Sequence, residues 1–191
     1  MSEPVAAEPV LRIVGCLTGC SDLLAELEPC LEERFGAIAL RSPPYRFDLS
    51  PYYAREMGPE LHRYWYSFEQ LFSPELVPES RRFTGQAEER FSREGRRRVN
   101  LDPGYLDHGK LVLASWKQAP DKIYLGTGVW AHVCLRFRSG RFEAPDHSFP
   151  DFRDGRYAPF FTQARGLYRR LLARGKSGAE RSDSVRREAE E

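Results

Sequence analysis

The sequence predicts an α+β domain: a mixed, largely antiparallel sheet with helices packed on it, forming a single α/β-sandwich-like body. Three observations lead there. The chain opens as strand, helix, strand, the unit from which layered α/β structures are built. Its middle, from Arg96 to Lys117, holds two strand patterns with a Pro-Gly pair between them. Its end alternates over Val129–Arg138 and then turns to helical spacing over Tyr157–Leu172. At 191 residues one domain is the default. We expect residues 1–9 to be a disordered N-terminus, 10–174 the domain, and 175–191 a disordered tail, being small, polar and charged in both signs.

Taken in order, Val10–Leu17 is β-branched and ends at Thr18-Gly19, which predicts a strand. Ser21 is a good N-cap for a helix over Asp22–Phe35, with Leu23, Leu24, Leu27, Leu31 and Phe35 as its apolar stripe and Gly36 as its stop. Pro29 falls inside that pattern and predicts a kink or a late start. Ala37–Leu40 resumes as a short strand, broken by Ser42-Pro43-Pro44. Ser50-Pro51 is a helix start. Met57, Leu61, Tyr64, Phe68 and Leu71 then keep near-helical spacing, so a short helix, a break at Gly58-Pro59 and a longer helix to Phe72 are expected. Ser73-Pro74 repeats the start signal before a helix from about Pro78 to Glu94, closed by Gly95. Tyr52, Tyr53, Tyr64, Trp65, Tyr66 and Phe68 form an aromatic cluster whose commoner use is core packing rather than ligand stacking. Lys122–Leu125 is a short strand, and Val129–Arg138 a long one closed by Ser139-Gly140. Ala144–Asp154 reads as a loop.

Composition excludes several classes. With 29 Lys and Arg against 28 Asp and Glu, the net charge of +1 gives no general attraction to nucleic acid or anionic membrane. No apolar run approaches the roughly 20 residues that span a bilayer. The opening MSEPVAAEPV has neither a cationic leader nor an apolar core, so a cytoplasmic location is expected. Cys16, Cys20, Cys30 and Cys134 lack the spacing of a disulfide framework or a metal site and are expected to be buried structural thiols. The arginines at 81–82 and 96–98 are interleaved with acidic residues, and no RNP, KH or zinc-knuckle pattern accompanies them, which argues against nucleic acid as a partner.

The chemistry gathers in RRRVNLDPGYLDHGKLVLASWK, residues 96–117. Val99 and Leu101 alternate with Arg98, Asn100 and Asp102, which places a cation, an amide and a carboxylate on one face of a strand. Pro103-Gly104 predicts a turn, and Lys117 ends the returning strand. Converging guanidinium, ammonium and amide groups suit a phosphate or carboxylate. A carboxylate among them could hold a hydrated Mg²⁺ or act as a base. The structural alternative has Asn100 and Asp102 capping the Pro-Gly turn while Arg98 pairs with a carboxylate. His132 is expected to be a satisfied or surface imidazole, and His62, His108 and His147 to face solvent.

SPPYRFDLSPYYAREMG, RVNLDPGYLDHGKLVLASWK, IYLGTGVWAHVCL and FPDF, in this order, resemble a bacterial family catalogued as domain of unknown function 4416. The resemblance covers most of Val10–Leu172 and supplies positions rather than a mechanism. Its matching polar positions are Glu56, Glu88, Arg98, Asn100, Asp102, Lys117 and Asp151. The chain departs from it at Thr84-Gly85, Asp121-Lys122, His132 and Phe149-Pro150-Asp151-Phe152. No GxxxxGK[ST] loop is present to hold a nucleotide in the Walker manner. The reading that follows is a pocket for a phosphorylated or otherwise anionic small molecule such as a nucleotide. Asp102 and Lys117 would be the catalytic candidates, with Arg98, Asn100, Glu56, Glu88 and Asp151 as ligand contacts. The rival is a non-catalytic protein-interaction module. The sequence leaves the oligomeric state and any metal open.

Overall fold

The structure, a computed structural model, describes residues 3–48 and 53–189. The Ser50-Pro51 helix start and Tyr52 lie outside the described residues. The elements in order are β1 (Val10–Thr18), α1 (Leu24–Phe35), β2 (Ile38–Arg41), β3 (Tyr45–Arg46), α2 (Ala54–Met57), β4 (His62–Phe72) and α3 (Val77–Arg90). There follow β5 (Val99–Leu106), β6 (Lys110–Ser115), β7 (Ile123–Gly126), β8 (Val129–Arg138), β9 (Arg141–Glu143), α4 (Pro150–Arg153) and α5 (Ala158–Ala189). The last helix runs through the stretch from 175 whose composition predicts disorder.

The sheet has nine strands, seven of them in the order β2-β4-β1-β5-β6-β8-β7, with β3 beside β4 and β9 beside β8. Every registered pair is antiparallel. β1 and β2, joined through α1, are separated by β4, which slots between them. Alternation along β1 explains why it is buried throughout. Leu11 and Ile13 join one core with Trp65, Leu113, Phe152, Phe161 and Tyr168, under α4 and α5. Val14 and Cys16 join the other with Leu27, Leu31, Tyr66, Phe68 and Leu101, under α1 and α3. The sheet is therefore the middle of three layers.

Three expectations need correction. The helix expected up to Phe72 is strand β4. Its Tyr, Trp and Phe residues meet a helical spacing by coincidence, but they fit a pleated surface buried on both faces, Tyr66 and Phe68 on one side and Trp65 on the other. The turn expected at Pro103-Gly104 is absent, since both residues lie inside β5, and the chain reverses instead at Asp107–Gly109. There the Asp107 carboxylate accepts from the N–H groups of Gly109 and Lys110 at 2.8 and 2.9 Å. Gly104 is needed for close approach, because a Cβ there would run into the carbonyl oxygen of Val112 on β6. Pro103 stands where the β5–β6 ladder has not yet begun, a position where a missing N–H is tolerated. Finally, Ser21 makes no cap bond. Thr18 holds that corner, its Oγ1 accepting from the Cys20 N–H at 3.0 Å.

Candidate functional site

β5 and β6 part company at one end. Their ladder covers only Gly104↔Leu113 to Leu106↔Leu111, although β5 stays paired with β1 as far as Val99. Beyond Gly104 the backbone of Leu101 has no strand on that side. Helix α3 supplies the missing partners. The Glu88 carboxylate accepts from the Leu101 N–H at 2.6 Å, and Arg81 Nη1 donates to the Leu101 carbonyl at 2.5 Å. Arg81 and Glu88 pair with each other at 3.1 Å, and both are buried. Burial pushes the Glu88 carboxyl up, against the pull of Arg81.

The opening left by the parted strands is a cleft of ≈ 620 Å³. Because Val99 and Leu101 face the α1–α3 core, Asn100 and Asp102 face the opposite side and line the cleft. Asp102 Oδ2 accepts from Arg63 Nη1 at 2.5 Å and from Asn100 Nδ2 at 3.1 Å. Asn100 Oδ1 accepts from Arg97 Nη1 at 3.1 Å, and Arg97 clasps Glu56 at 2.6 and 3.1 Å. One polar network thus runs Glu56–Arg97–Asn100–Asp102–Arg63 across three elements. Burial opposes ionisation of Asp102, but Arg63 outweighs it, helped by Arg81 and Asn100, and holds the carboxyl below its usual range. Its side chain keeps 29% of its surface exposed, so it remains within reach of a ligand.

Across the cleft, Lys122 Nζ lies 2.8 Å from Ser115 Oγ, and Lys117 lines the same wall. Burial lowers the Lys122 ammonium's pKa, and nearby Lys117 adds to this. Asp151 is buried and accepts from the Tyr157 hydroxyl at 2.8 Å. His132 lies 3.1 Å from the Cys134 thiol through Nε2 and edge-on to Phe149. Burial, reinforced by Lys122, lowers its pKa to about 4, while burial raises that of Cys134 well above the ordinary thiol range. Both shifts favour the neutral pair, so this is no thiolate–imidazolium nucleophile. The contact is compatible with either ring tautomer, the thiol donating to Nε2 or Nε2–H pointing at the sulfur while the thiol turns to the His132 carbonyl.

The alternative in which Asn100 and Asp102 cap a Pro-Gly turn falls with that turn. Asn100, Asp102, Lys117 and Asp151 do meet around one cleft. Arg98 does not line it, since its guanidinium reaches Cys20 Sγ at 3.2 Å. Glu88 is engaged behind β5, and Glu56 touches the network only through Arg97. Both line a neighbouring groove of ≈ 670 Å³ instead. Sequence reasoning missed Arg63, Arg81 and Arg97 as cleft residues. For Arg63 the usable signal was an arginine set between His62 and the three aromatic residues Tyr64, Trp65 and Tyr66, a pattern that suits a strand. All four cysteines are free, Cys16 and Cys134 being buried and the other two half-buried. Among the described residues no three metal-ligating side chains cluster, and no helix is long and apolar enough to cross a membrane.

The fold and site define an α+β domain whose sheet divides around a cationic, aromatic-walled cleft. The chain belongs to the family described as Domain of unknown function (DUF4416), whose model matches residues 8–168. No curated protein and no solved structure matches it.

Proposed function

We propose that the cleft binds a phosphorylated or otherwise anionic small molecule, with nucleotides and sugar phosphates as the class to test. One observation carries this reading. Arg63 Nε, Trp65 Nε1, Arg81 Nε and His132 Nδ1, all on cleft-lining residues, are buried without a protein hydrogen-bond partner. Three of them, Arg63 Nε, Trp65 Nε1 and Arg81 Nε, are donors in any state, and His132 Nδ1 joins them in the tautomer that carries its proton there. Orphaned buried donors call for acceptors. The charge agrees: Arg63, Arg81, Arg97, Lys117 and Lys122 stand around the cleft against Asp102, Asp121 and Asp151. Phe47, Tyr53, Trp65, Phe149 and Phe152 give it apolar walls, the composition of a small-molecule site.

If the protein is an enzyme, Asp102 is a poor general base, because Arg63 holds its carboxyl below the usual range and so weakens its hold on a proton. Its better roles are to orient the ligand or to hold a hydrated Mg²⁺, which needs only one or two carboxylates beside substrate phosphates. Lys117 and Lys122 would then stabilise negative charge. Free thiols suit the reducing conditions of a cytoplasm. A thermal-shift panel of phosphates, nucleotides and sugar phosphates, with and without Mg²⁺, tests the proposal. At a hundredfold excess over Kd a true ligand stabilises by about 3 kcal/mol, or roughly 5–10 °C for a domain of this size. Flat melting curves across the panel would overturn it.

Edge strand β7 favours the interaction-module reading. Ile123, Tyr124 and Leu125 are all exposed on it, an apolar strand edge of the kind that accepts a partner strand. That reading predicts self-association or partner capture that is lost in Ile123→Lys and unaffected by anions. Light scattering on the two proteins separates the cases.

A further inference from the structure

The cleft and the groove along α3 share two lining residues, Arg97 and Trp116. Trp116 has 44% of its surface exposed, whereas Trp65 is fully buried and Trp130 lies against Tyr124 at 4.9 Å between ring centres. Its ring is backed by Arg81, whose guanidinium carbon is 5.2 Å from the ring centre. That guanidinium is itself fixed by Leu101, Thr84 and Glu88, so the ring is held by a rigid support. The ring edge lies over Gly85, where an added Cβ would stand 3.4 Å from Cζ2, and any larger side chain would fill the groove beside the ring. Gln86, Glu89 and Ser92 line the same groove and offer hydrogen-bond acceptors.

We infer that Trp116 is a stacking platform for a planar heterocycle, and that the ligand is therefore a nucleotide rather than a simple sugar phosphate. This rests on the anion-binding reading of the cleft. The anionic group lies against Lys117 and Lys122, and the ring of the same molecule lies on Trp116 at the mouth of the groove. The groove acceptors then meet ring N–H or exocyclic amino groups. An aromatic platform recognises the π-face of a base and gives a sugar phosphate nothing comparable.

Calorimetric titration with inorganic phosphate, ribose 5-phosphate, AMP and GMP tests this on the full chain and on two variants. In the unaltered protein the nucleotides should bind roughly tenfold or more tighter than ribose 5-phosphate. Trp116→Ala should remove that preference while leaving ribose 5-phosphate affinity unchanged. Gly85→Leu, which keeps the tryptophan and its contact with Arg81 and places a better helix former in α3, should do the same by filling the groove. Equal affinity for ribose 5-phosphate and the nucleotides, or a preference that survives both variants, overturns the platform and leaves the anion site standing. Absence of binding by all four compounds overturns the anion site and the platform together.

Discussion

A guanidinium buried beside a carboxylate makes each residue dependent on the other. Arg63 is 6% exposed and has Asp102 as its close counter-charge. Asp102→Asn should therefore cost about 3 kcal/mol in chemical denaturation, because it strands a buried charge. Arg63→Met combined with it should recover most of that loss, which a double-mutant cycle would show. Since the Asp102 carboxyl is held below its usual range, its contribution is complete at neutral pH and is lost as acid protonates it, below about pH 4. His132 has the opposite chemistry and the same direction of loss. Its imidazole is lowered from 6.5 to about 4, so across that interval the unfolded chain takes up a proton that the fold refuses. Stability should fall by about 3 kcal/mol as pH drops from 6.5 to 4. His132→Gln should flatten that slope in pH-dependent urea melts, and an unchanged slope would refute the assignment. At this scale the sequence was partly legible. Alternation placed Asn100 and Asp102 on one face, but it placed Arg98 there too. Arg98 precedes the strand and turns back to Cys20, and no periodicity reports such a turn.

The decisive element is the seam between β5 and α3, where a side-chain ion pair does the work of a neighbouring strand. Glu88→Ala orphans the Leu101 N–H and leaves Arg81 buried without its partner, so a loss of about 3–5 kcal/mol is expected. Faster amide exchange at Leu101 than at Leu106, which stays inside the ladder, would locate the damage. Gly104→Ala should be at least as harmful, since the β5 and β6 backbones must separate to admit a methyl group. Helices α1 and α3 and strands β1 and β8 were legible because their spacing and stops act locally. β4 was not, because a strand buried on both faces has no polar alternation and its aromatic spacing imitates a helix. The Pro-Gly pair misled for a related reason: its glycine answers to a strand eight residues away rather than to a turn.

The whole molecule is a three-layer body in which one sheet divides, and the division creates the cleft. The layers follow from composition and period, and the α+β class could be read from them. The division could not, because it depends on where one ladder stops, a fact of tertiary pairing. Arg63 and Arg81 reach the cleft for the same reason, being brought there by a strand and a helix distant in sequence from β5. A cleft with surplus cationic groups should bind anions more weakly as salt rises, since screening weakens exposed charge interactions. The central proposal is that anions bind at this divided seam. An NMR titration with inorganic pyrophosphate, following the His132 ring, the Trp116 indole and the backbone amides, tests it most directly. The account predicts saturable shifts at His132, Trp116, Lys117 and Lys122, and at Arg63 and Asp102, with the β7 edge and α5 silent, and their loss in Lys117→Gln/Lys122→Gln. Shifts scattered over surface lysines and arginines, or a silent cleft, would contradict it.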